Sequence, residues 1–318
     1  MKAHIVVVAA LAALACPALA AEPAKPAPSP GEIVSAAPAG EWRAIVPADL
    51  LVMDLAPDPK GKARRVVIQL MPAPFSQGWV GNLRKLAAAH WWDGTSVYRV
   101  QDNYVTQWGD ADGEDKTKAK PLPAGLAKVA ESEYVVSAPF TDGARSRGVI
   151  FIPQGSDRDA YGAGPVLWNG WAFAGSKNGN WPVHCYGMVG VARDLSPDTG
   201  TGAELYTVIG HAPRALDRNI ALVGRVIEGM QWLSSLPRGP APMGVYTDAG
   251  ERTPIVSVRL GSELAAGEQP RFEYLSTESE TFARYADAIA NRRDPFFIQP
   301  AGGADVCSIR VPIRRVKS

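Results

Sequence analysis

Apolar positions along this chain recur with two different periods, and the switches between them mark its elements. Arg65 to Met71 is aliphatic and β-branched and predicts a strand. Ahead of it, Ile45, Leu50, Val52 and Leu55 alternate with polar or small residues between Trp42 and Leu55, predicting an edge strand that precedes the main sheet. Val80, Leu83, Leu86 and Ala87 recur at helical spacing, so Ser76 to Ala89 reads as an amphipathic helix. Val97 to Val100 and Tyr104 to Trp108 return to β-branched and aromatic types. Between them lie turn-forming Gln101, Asp102 and Asn103, and the unit reads as strand, turn, strand. Strict alternation would put Val97, Arg99 and Gln101 on one face and Tyr98 and Val100 on the other. By itself, Arg99 reads as an arginine on a solvated strand face.

Downstream, Asp110 to Pro182 mixes a charged run, a strand-like stretch at Gly148 to Pro153, and a Gly/Trp-rich loop from Tyr161 to Trp181. Trp168, Trp171 and Trp181 fit either an extended peptide-binding groove or anchors of a long loop. Beyond Gly261, Thr277 and Glu280 have capping-box spacing. Phe282, Tyr285 and Ile289 then share a helical face until Asp294-Pro295 stops it. Val306 to Ile313 alternates as a terminal strand. This tail is too short to bury a core of its own and is expected to pack on the preceding fold.

Several blocks carry a resemblance. Val97-Tyr98-Arg99 followed by Tyr104-Val105-Thr106-Gln107-Trp108-Gly109-Asp110 resembles the Phe-His-Arg and Phe-Met-x-Gln-Gly-Gly-Asp runs of the cyclophilin peptidyl-prolyl isomerases. Upstream, Ala73-Pro74, Trp79 to Leu86 and Trp92-Asp93-Gly94-Thr95 are similar to that family's Ala-Pro, Val-x-Asn-Phe-x-x-Leu and Tyr-Asp-Gly-Thr runs. Met188 to Arg193 with Gly202 to Gly210 resembles the bacterial Val-Ser-Met-Ala-Arg and Gly-Ser-Gln-Phe-Phe-Ile pattern. His211-Ala212-Pro213, Leu216-Asp217 and Val223 to Met230 follow the family's third block. Blocks in the family's order are more specific than any one of them.

The resemblance implies a mainly β fold: a closed eight-stranded antiparallel barrel capped by two helices, with a long inserted loop region and a helix-plus-strand C-terminal tail. It implies prolyl isomerisation, with Arg99 and Gln107 as catalytic residues and Tyr104, Val105, Ala203, Glu204, Tyr206, Leu216 and Ile220 as the substrate-binding set. The ring pocket departs from the family. Tyr104-Val105 replaces Phe-Met, Leu205-Tyr206 replaces Phe-Phe, Ile220 replaces a pocket histidine and Ala215 stands where some members carry tryptophan, while Leu216 is retained. Glu204 replaces a glutamine, Trp108 replaces a glycine in a way that could reshape the groove, and Tyr206 brings a hydroxyl that needs a partner if buried. These departures leave open a second reading, a peptide-binding module or holdase with little turnover.

The remaining features concern address and partners. Lys2, the apolar run Ile5 to Ala15, Pro17 and Ala18-Leu19-Ala20 read as a secretory signal peptide over residues 1–20. Cys16 is a poor lipobox cysteine, because Leu14 sits one place too close and Pro17 follows. Residues 21–41 read as a Pro/Ala-rich flexible tether, 42–262 as the barrel with an insertion over about 111–182, and 263–318 as the extension. The expected product is an exported, periplasmic, soluble monomer with no transmembrane segment, acting on proline-containing segments of exported polypeptides. A net charge of +1 gives no footprint for nucleic acid. In an oxidising compartment Cys185 and Cys307 fit one disulfide or two buried thiols equally well. No cofactor is implied. Asp157, Asp159 and His184 match no metal cage, no Ser/His nucleophile elbow occurs, and Gly200-Thr201-Gly202 lacks the strand-to-helix context of a phosphate cradle.

Overall fold

The computed structural model of the chain describes residues 26–137, 150–151 and 158–316. In chain order the strands are β1 (Trp42–Ile45), β2 (Leu50–Leu55), β3 (Arg64–Leu70), β4 (Ser96–Val100), β5 (Val105–Gly109), β6 (Ile150–Phe151), β7 (Arg158–Asp159) and β8 (Gly162–Trp168). Then follow β9 (Trp171–Ser176), β10 (Gly179–Pro182), β11 (Met188–Val191), β12 (Leu205–Val208), β13 (Leu222–Glu228), β14 (Thr253–Leu260), β15 (Phe272–Leu275) and β16 (Ile313–Arg315). The α-helices are α1 (Pro30–Ser35), α2 (Gln77–Ala88), α3 (Gln231–Ser234) and α4 (Glu280–Ala290). Eight strands close into an antiparallel barrel in the order β11, β12, β5, β4, β14, β2, β3, β13, with β13 pairing back onto β11. Closure leaves none of the eight with an unpaired edge. The expected mainly β, eight-stranded class is the one observed.

Inside the barrel, alternate residues of β2 and β3 (Leu51, Met53 and Leu55; Val66, Ile68 and Leu70) meet Trp79, Leu83 and Leu86 of α2 in one core. Trp79 donates its indole N–H to the carbonyls of Thr199 and Gly200, and the Asn82 amide bonds Ala127 and Thr201. Those bonds tie α2 to the loop that leads into β12, and so to the strand that carries Tyr206.

The edge strand expected over Trp42 to Leu55 is instead two strands with different roles. β2 is a barrel stave between β14 and β3, while β1 lies outside, paired with β15 in a three-stranded sheet β1-β15-β16. The reason is two-sided burial. Leu51 and Met53 face the barrel core, whereas Leu50 packs outward with Ile45, Val67 and Phe272 under the tail sheet. A strand covered on both faces reads as a continuous apolar run rather than as an alternation.

The region expected as a Gly/Trp-rich loop from Tyr161 to Trp181 is an antiparallel sheet ordered β10-β9-β8-β6, with β7 also on β8. Its hairpin β8 to β9 turns through Asn169-Gly170, both at positive φ (49° and 77°), a turn signal present in the sequence. Trp171 and Phe173 join the barrel core, and Trp181 packs with Leu167 and the tail. The tryptophans therefore anchor this sheet instead of extending a groove. Of Gly148 to Pro153, Ile150 and Phe151 pair with β8 and the rest lies outside the described residues, as do residues 1–25.

The tether and tail also differ from expectation. Ser29 and Glu32 form a capping box that starts α1 with Pro30 at its first turn, and Ile33 packs with Phe282 and Ala286 of α4. From Ser29 onward the tether is thus folded. α4 is capped by Ser279, whose hydroxyl accepts the Phe282 N–H, whereas Thr277 accepts the N–H of Gly170. α4 ends at Ala290, ahead of Asp294-Pro295. Val306 and Ile309 are buried anchors in irregular chain, and the terminal strand is confined to Ile313–Arg315.

Cys185, just ahead of β11, is disulfide-bonded to Cys307 of the tail, a separation of 122 residues. A crosslink over so long a loop restricts the unfolded chain by about 4 to 5 kcal/mol in the chain-entropy account, and measured values run lower. Reduction, or the pair Cys185→Ala with Cys307→Ala, is expected to lower unfolding stability by about 2 to 4 kcal/mol in a denaturant titration.

Candidate functional site

The site begins with an irregularity. β4 and β5 pair as Val97 with Trp108 and then Arg99 with Gln107, so Tyr98 is an extra residue, a β-bulge. The alternation expected for this unit therefore fails. Val97 and Val100 both point into the barrel core, and the consecutive side chains of Tyr98 and Arg99 lie on the outer face beside Gln107. On β5 and β12 alternation is regular. Trp108, Leu205 and the fully buried Thr106 and Thr207 face inward, while Val105, Gln107, Tyr206 and Val208 face outward, with Tyr206 opposite Gln107 and Val208 opposite Val105.

That outer face holds an apolar cluster of Val105, Tyr206 and Val208, flanked by Tyr104, Ala192 and Ile220. At its side the Arg99 guanidinium donates to Gln107 Oε1 at 2.8 Å, to the Met243 carbonyl at 2.7 Å and to Gln101. Its charge stands 5.9 Å from the centre of the Tyr104 ring. A guanidinium carries five N–H donors, so among the described residues two remain for a ligand. Burial lowers the Arg99 pKa, though the group stays a cation across the physiological range. The Met243 carbonyl reaches Arg99 because the loop carrying it pairs along the β4 edge. Val245 bridges Arg99, Tyr246 N–H bonds the Tyr98 carbonyl, and Met243 is held at φ 63°.

From Gln107 a second line of hydrogen bonds runs away from the apolar cluster. Gln107 Nε2 donates to Tyr98 Oη, Tyr98 Oη donates to Glu204 Oε2 at 2.8 Å, and Glu204 Oε1 accepts the Asp110 N–H at 2.7 Å. A carboxylate fits here because of Gly109. A Cβ at that residue, at φ 146°, would stand 2.2 Å from the Glu204 carboxyl. Burial pushes the Glu204 carboxyl up to about 7. The hydrogen bonds from Tyr98 and Asp110 work against that rise, and the Asp110 charge adds to it.

Tyr206 also acquires its partner. Its ring lies against Gly190, where a Cβ would sit 2.3 Å from the ring, and its hydroxyl is 2.8 Å from His184 Nε2. His184 Nδ1 is 2.8 Å from Asp217 Oδ1, and Asp217 also binds Arg214, which pairs in turn with Asp159. Asp217, held by Arg214, accepts only, so Nδ1 carries the proton and Nε2 accepts from Tyr206. Burial lowers the His184 pKa and keeps the ring neutral. Asp159 and His184, weighed as metal candidates, are thus engaged by Arg214, Asp217 and Tyr206, and Asp157 lies outside the described residues.

The expected site residues divide accordingly. Arg99, Gln107, Tyr104, Val105, Tyr206, Ile220 and Glu204 share one face. Leu216 lies half-buried one turn before Ile220, its carbonyl accepting the Ile220 N–H. Ala203 is a correction: its side chain is buried in the barrel core, its carbonyl accepts the Trp92 indole N–H and its own N–H donates to Thr201 Oγ1. Trp108 is another, since at 1% exposure it fills the core and does not reshape the groove. Tyr98 and the Met243 carbonyl are not in the expected site, Gln101 is expected only to share the face of Arg99, and His184 is weighed only as a metal ligand. The family's Phe-His-Arg run was the available signal for Tyr98, because it places a polar ring at that position.

The sequence model of the family described as cyclophilin type peptidyl-prolyl cis-trans isomerase/CLD matches residues 62–259. The chain belongs to the cyclophilin family. Among solved structures it is similar to a cyclophilin from Hirschia baltica, with a TM-score of 0.62 and 21% identity over 86% of this chain and 93% of that one. It also matches a Cryptosporidium parvum cyclophilin type peptidyl-prolyl cis-trans isomerase, with a TM-score of 0.40 and 12% identity over 67% of this chain and 96% of that one. The same parasite protein in the presence of the dipeptide Ala-Pro matches with a TM-score of 0.37 and 11% identity over 66% and 98% of the two chains. No curated protein matches the sequence. The family match spans the whole barrel from β3 to β14 apart from its final residue, and β2 completes the cyclophilin barrel from outside the matched segment.

Two outcomes follow for this cyclophilin. Tyr206→Phe keeps the apolar wall but strands His184 Nε2, and a denaturant titration is expected to show a loss of about 1 to 3 kcal/mol. For Glu204, the folded-state value near 7 lies above the ordinary 4.5, so the fold favours the protonated form. That contribution to stability is fully present below about pH 4.5 and is lost as pH rises through about 7. Glu204→Gln has no proton to lose. Its Tm relative to wild type is expected to be higher at about pH 8.5 than at about pH 4.

Proposed function

We propose that this cyclophilin is a peptidyl-prolyl cis-trans isomerase acting on Xaa-Pro bonds of exported polypeptides. The observation that carries the reading is the juxtaposition of a hydrogen-bonded Arg99–Gln107 pair, 2.8 Å apart, with the apolar cluster of Val105, Tyr206 and Val208. Rotation about a peptide bond meets a barrier of about 18 to 20 kcal/mol because resonance resists the twist. A catalyst has to bind the twisted amide more tightly than either planar form. In the twisted amide the lone pair is localised on the prolyl nitrogen, and the unspent N–H groups of Arg99 are donors for it. Gln107 is an amide that both donates and accepts, suited to holding the substrate backbone. Tyr104, Val105, Tyr206, Ile220 and Leu216 would take the pyrrolidine ring.

The finer expectations fit this reading. The Cys185–Cys307 bond suits an oxidising compartment such as the periplasm, reached by a cleaved signal peptide over residues 1–20. Among the described residues no helix is long and apolar enough to cross a membrane. We take the chain to act as a monomer on unfolded or folding clients. The alternative, a binding module or holdase with little turnover, drew support from Trp108, Tyr206, Ile220 and Glu204. Trp108 faces the core, the Tyr206 hydroxyl is partnered and Ile220 keeps the cluster apolar, which leaves Glu204.

The test is exchange NMR or a protease-coupled assay on a Xaa-Pro peptide. One charge-assisted hydrogen bond is worth about 1.5 to 3 kcal/mol, so Arg99→Ala is expected to lower kcat/KM by about 10- to 100-fold. Equal, near-background rates for wild type and Arg99→Ala would sink the isomerase reading. Aggregation suppression undiminished in that variant would then favour the holdase.

A further inference from the structure

The line from Arg99 to Glu204 has a direction fixed by chemistry. Arg99 only donates, so the Gln107 carbonyl must face it and the Gln107 NH2 must face Tyr98. Tyr98 Oη, accepting from Gln107, has one proton to give, and it goes to Glu204 Oε2. At the far end the Asp110 N–H also only donates, to Glu204 Oε1. Every bond in the line therefore points toward Glu204, and both carboxyl oxygens accept. An ionised carboxylate satisfies that demand. A proton on Oε2 would meet the Tyr98 O–H head on, and one on Oε1 would meet the Asp110 N–H. A proton on another lone pair removes the charge that strengthens both bonds. Turning the Gln107 amide over to accommodate it would set Nε2 against the Arg99 guanidinium, donor against donor.

We propose that Glu204 is a positioning residue: ionised, it fixes the Gln107 amide through Tyr98 and with it the Arg99 guanidinium beside the apolar cluster, and protonation releases that alignment. The catalytic consequence rests on the isomerase reading, whereas the relay itself does not. Among the described residues, four titratable or charged groups surround Glu204, and of these Tyr98 and Asp110 act on its charge directly. From β4 come Tyr98, whose own ionisation is pushed far up by burial and by Glu204, and Arg99 at the other end of the line. Beyond β5 comes Asp110, whose carboxylate is held by the N–H groups of Asp112 and Lys120. The Lys120 ammonium is turned away, onto the Asp93 carbonyl and the Trp91 ring. Burial at this position places the titration near neutrality, at about 7.

The experiment follows the Gln107 side-chain amide and the Arg99 Nε–H by proton–nitrogen NMR on the full chain from about pH 5 to 9, in wild type, Glu204→Gln and Tyr98→Phe. In wild type the Gln107 resonances are expected to titrate with a midpoint near 7. In Glu204→Gln, and in Tyr98→Phe where the line is cut, that titration is expected to be absent. A Gln107 signal indifferent to pH in wild type, or a midpoint that survives in Glu204→Gln, overturns the proposal. In parallel, kcat/KM of wild type on a Xaa-Pro peptide is expected to fall on the order of 10-fold on the acid side of the same midpoint, and to be flat in Glu204→Gln. Turnover that ignores pH while Gln107 titrates overturns the positioning role. Titration of Gln107 without turnover at any pH upholds the relay and removes the isomerase reading instead.

Discussion

Tyr98 stands opposite no residue of β5, and that one extra residue turns two consecutive side chains out of the barrel. In a regular strand Tyr98 and Arg99 would lie on opposite faces, one of them among the core residues. With the bulge, Val97 and Val100 both seal the core while Tyr98 and Arg99 stand together on the outer face beside Gln107. The hydrophobic requirement of the barrel and the polar line on its outer face are met by the same five-residue strand. Bulges re-aim side chains in this way wherever a ladder must carry a site. The loop bearing Met243 then fixes the guanidinium from the third side.

The segments beyond the barrel act as its cladding. β1 and β15 cover the outer face of β2 and β3, and the β8-β9-β10 sheet lies between the barrel and the tail. Two buried polar lines cross these boundaries. Arg225 of β13 binds Gln69 of β3 and the Gly170 carbonyl of the second sheet, 4.2 Å above the Trp171 ring. Tyr206 of the outer cluster reaches through His184, Asp217 and Arg214 to Asp159 of β7. Fully satisfied networks of this kind fix register, because any slip leaves a buried donor or acceptor unpaired. The outer cluster around Tyr206 is thus held by the insertion as well as by its own strand.

What the sequence made legible follows from the same physics. The helix Gln77–Ala88 buries one face, so its period of 3.6 shows, whereas the strand Arg64–Leu70 is buried on both faces from Val66 onward and shows as a continuous β-branched run; both fall within a residue of the expected bounds. β2 is also covered on both faces, but Ile45, Leu50, Val52 and Leu55 give Trp42 to Leu55 an apparent alternation that suggests an edge strand. In sequence the second sheet resembles a loop because its glycines outweigh its strand formers, although Asn169-Gly170 marks the hairpin. In the site, residue identities carried over from the family blocks, but facing did not. No composition rule announces the bulge at Tyr98, and it reverses the expected orientation of Tyr98 relative to Arg99. The inward facing of Trp108 is hidden for a related reason, since which face of a strand is buried depends on neighbours distant in sequence.

Glu204 sits where two comparable energies oppose each other. The shift from the ordinary 4.5 to about 7 is what remains after the Tyr98 and Asp110 bonds have offset part of the burial, and it corresponds to about 3 kcal/mol against the ionised form. The bonds from Tyr98 and Asp110 favour that form, at about 1.5 to 3 kcal/mol for a hydrogen bond to a charged group. Were burial much deeper, the carboxyl would stay protonated at neutral pH and the direction of the Tyr98 and Gln107 bonds would be lost. Were it much shallower, Glu204 would be ionised throughout and would cost the fold little. An apolar residue at 204 would relieve the fold but leave the Tyr98 hydroxyl and the Asp110 N–H without acceptors. The ionised carboxylate is therefore the state that best satisfies its donors and the one the surrounding burial least favours, and the contest between them falls within the range where small changes of pH decide it.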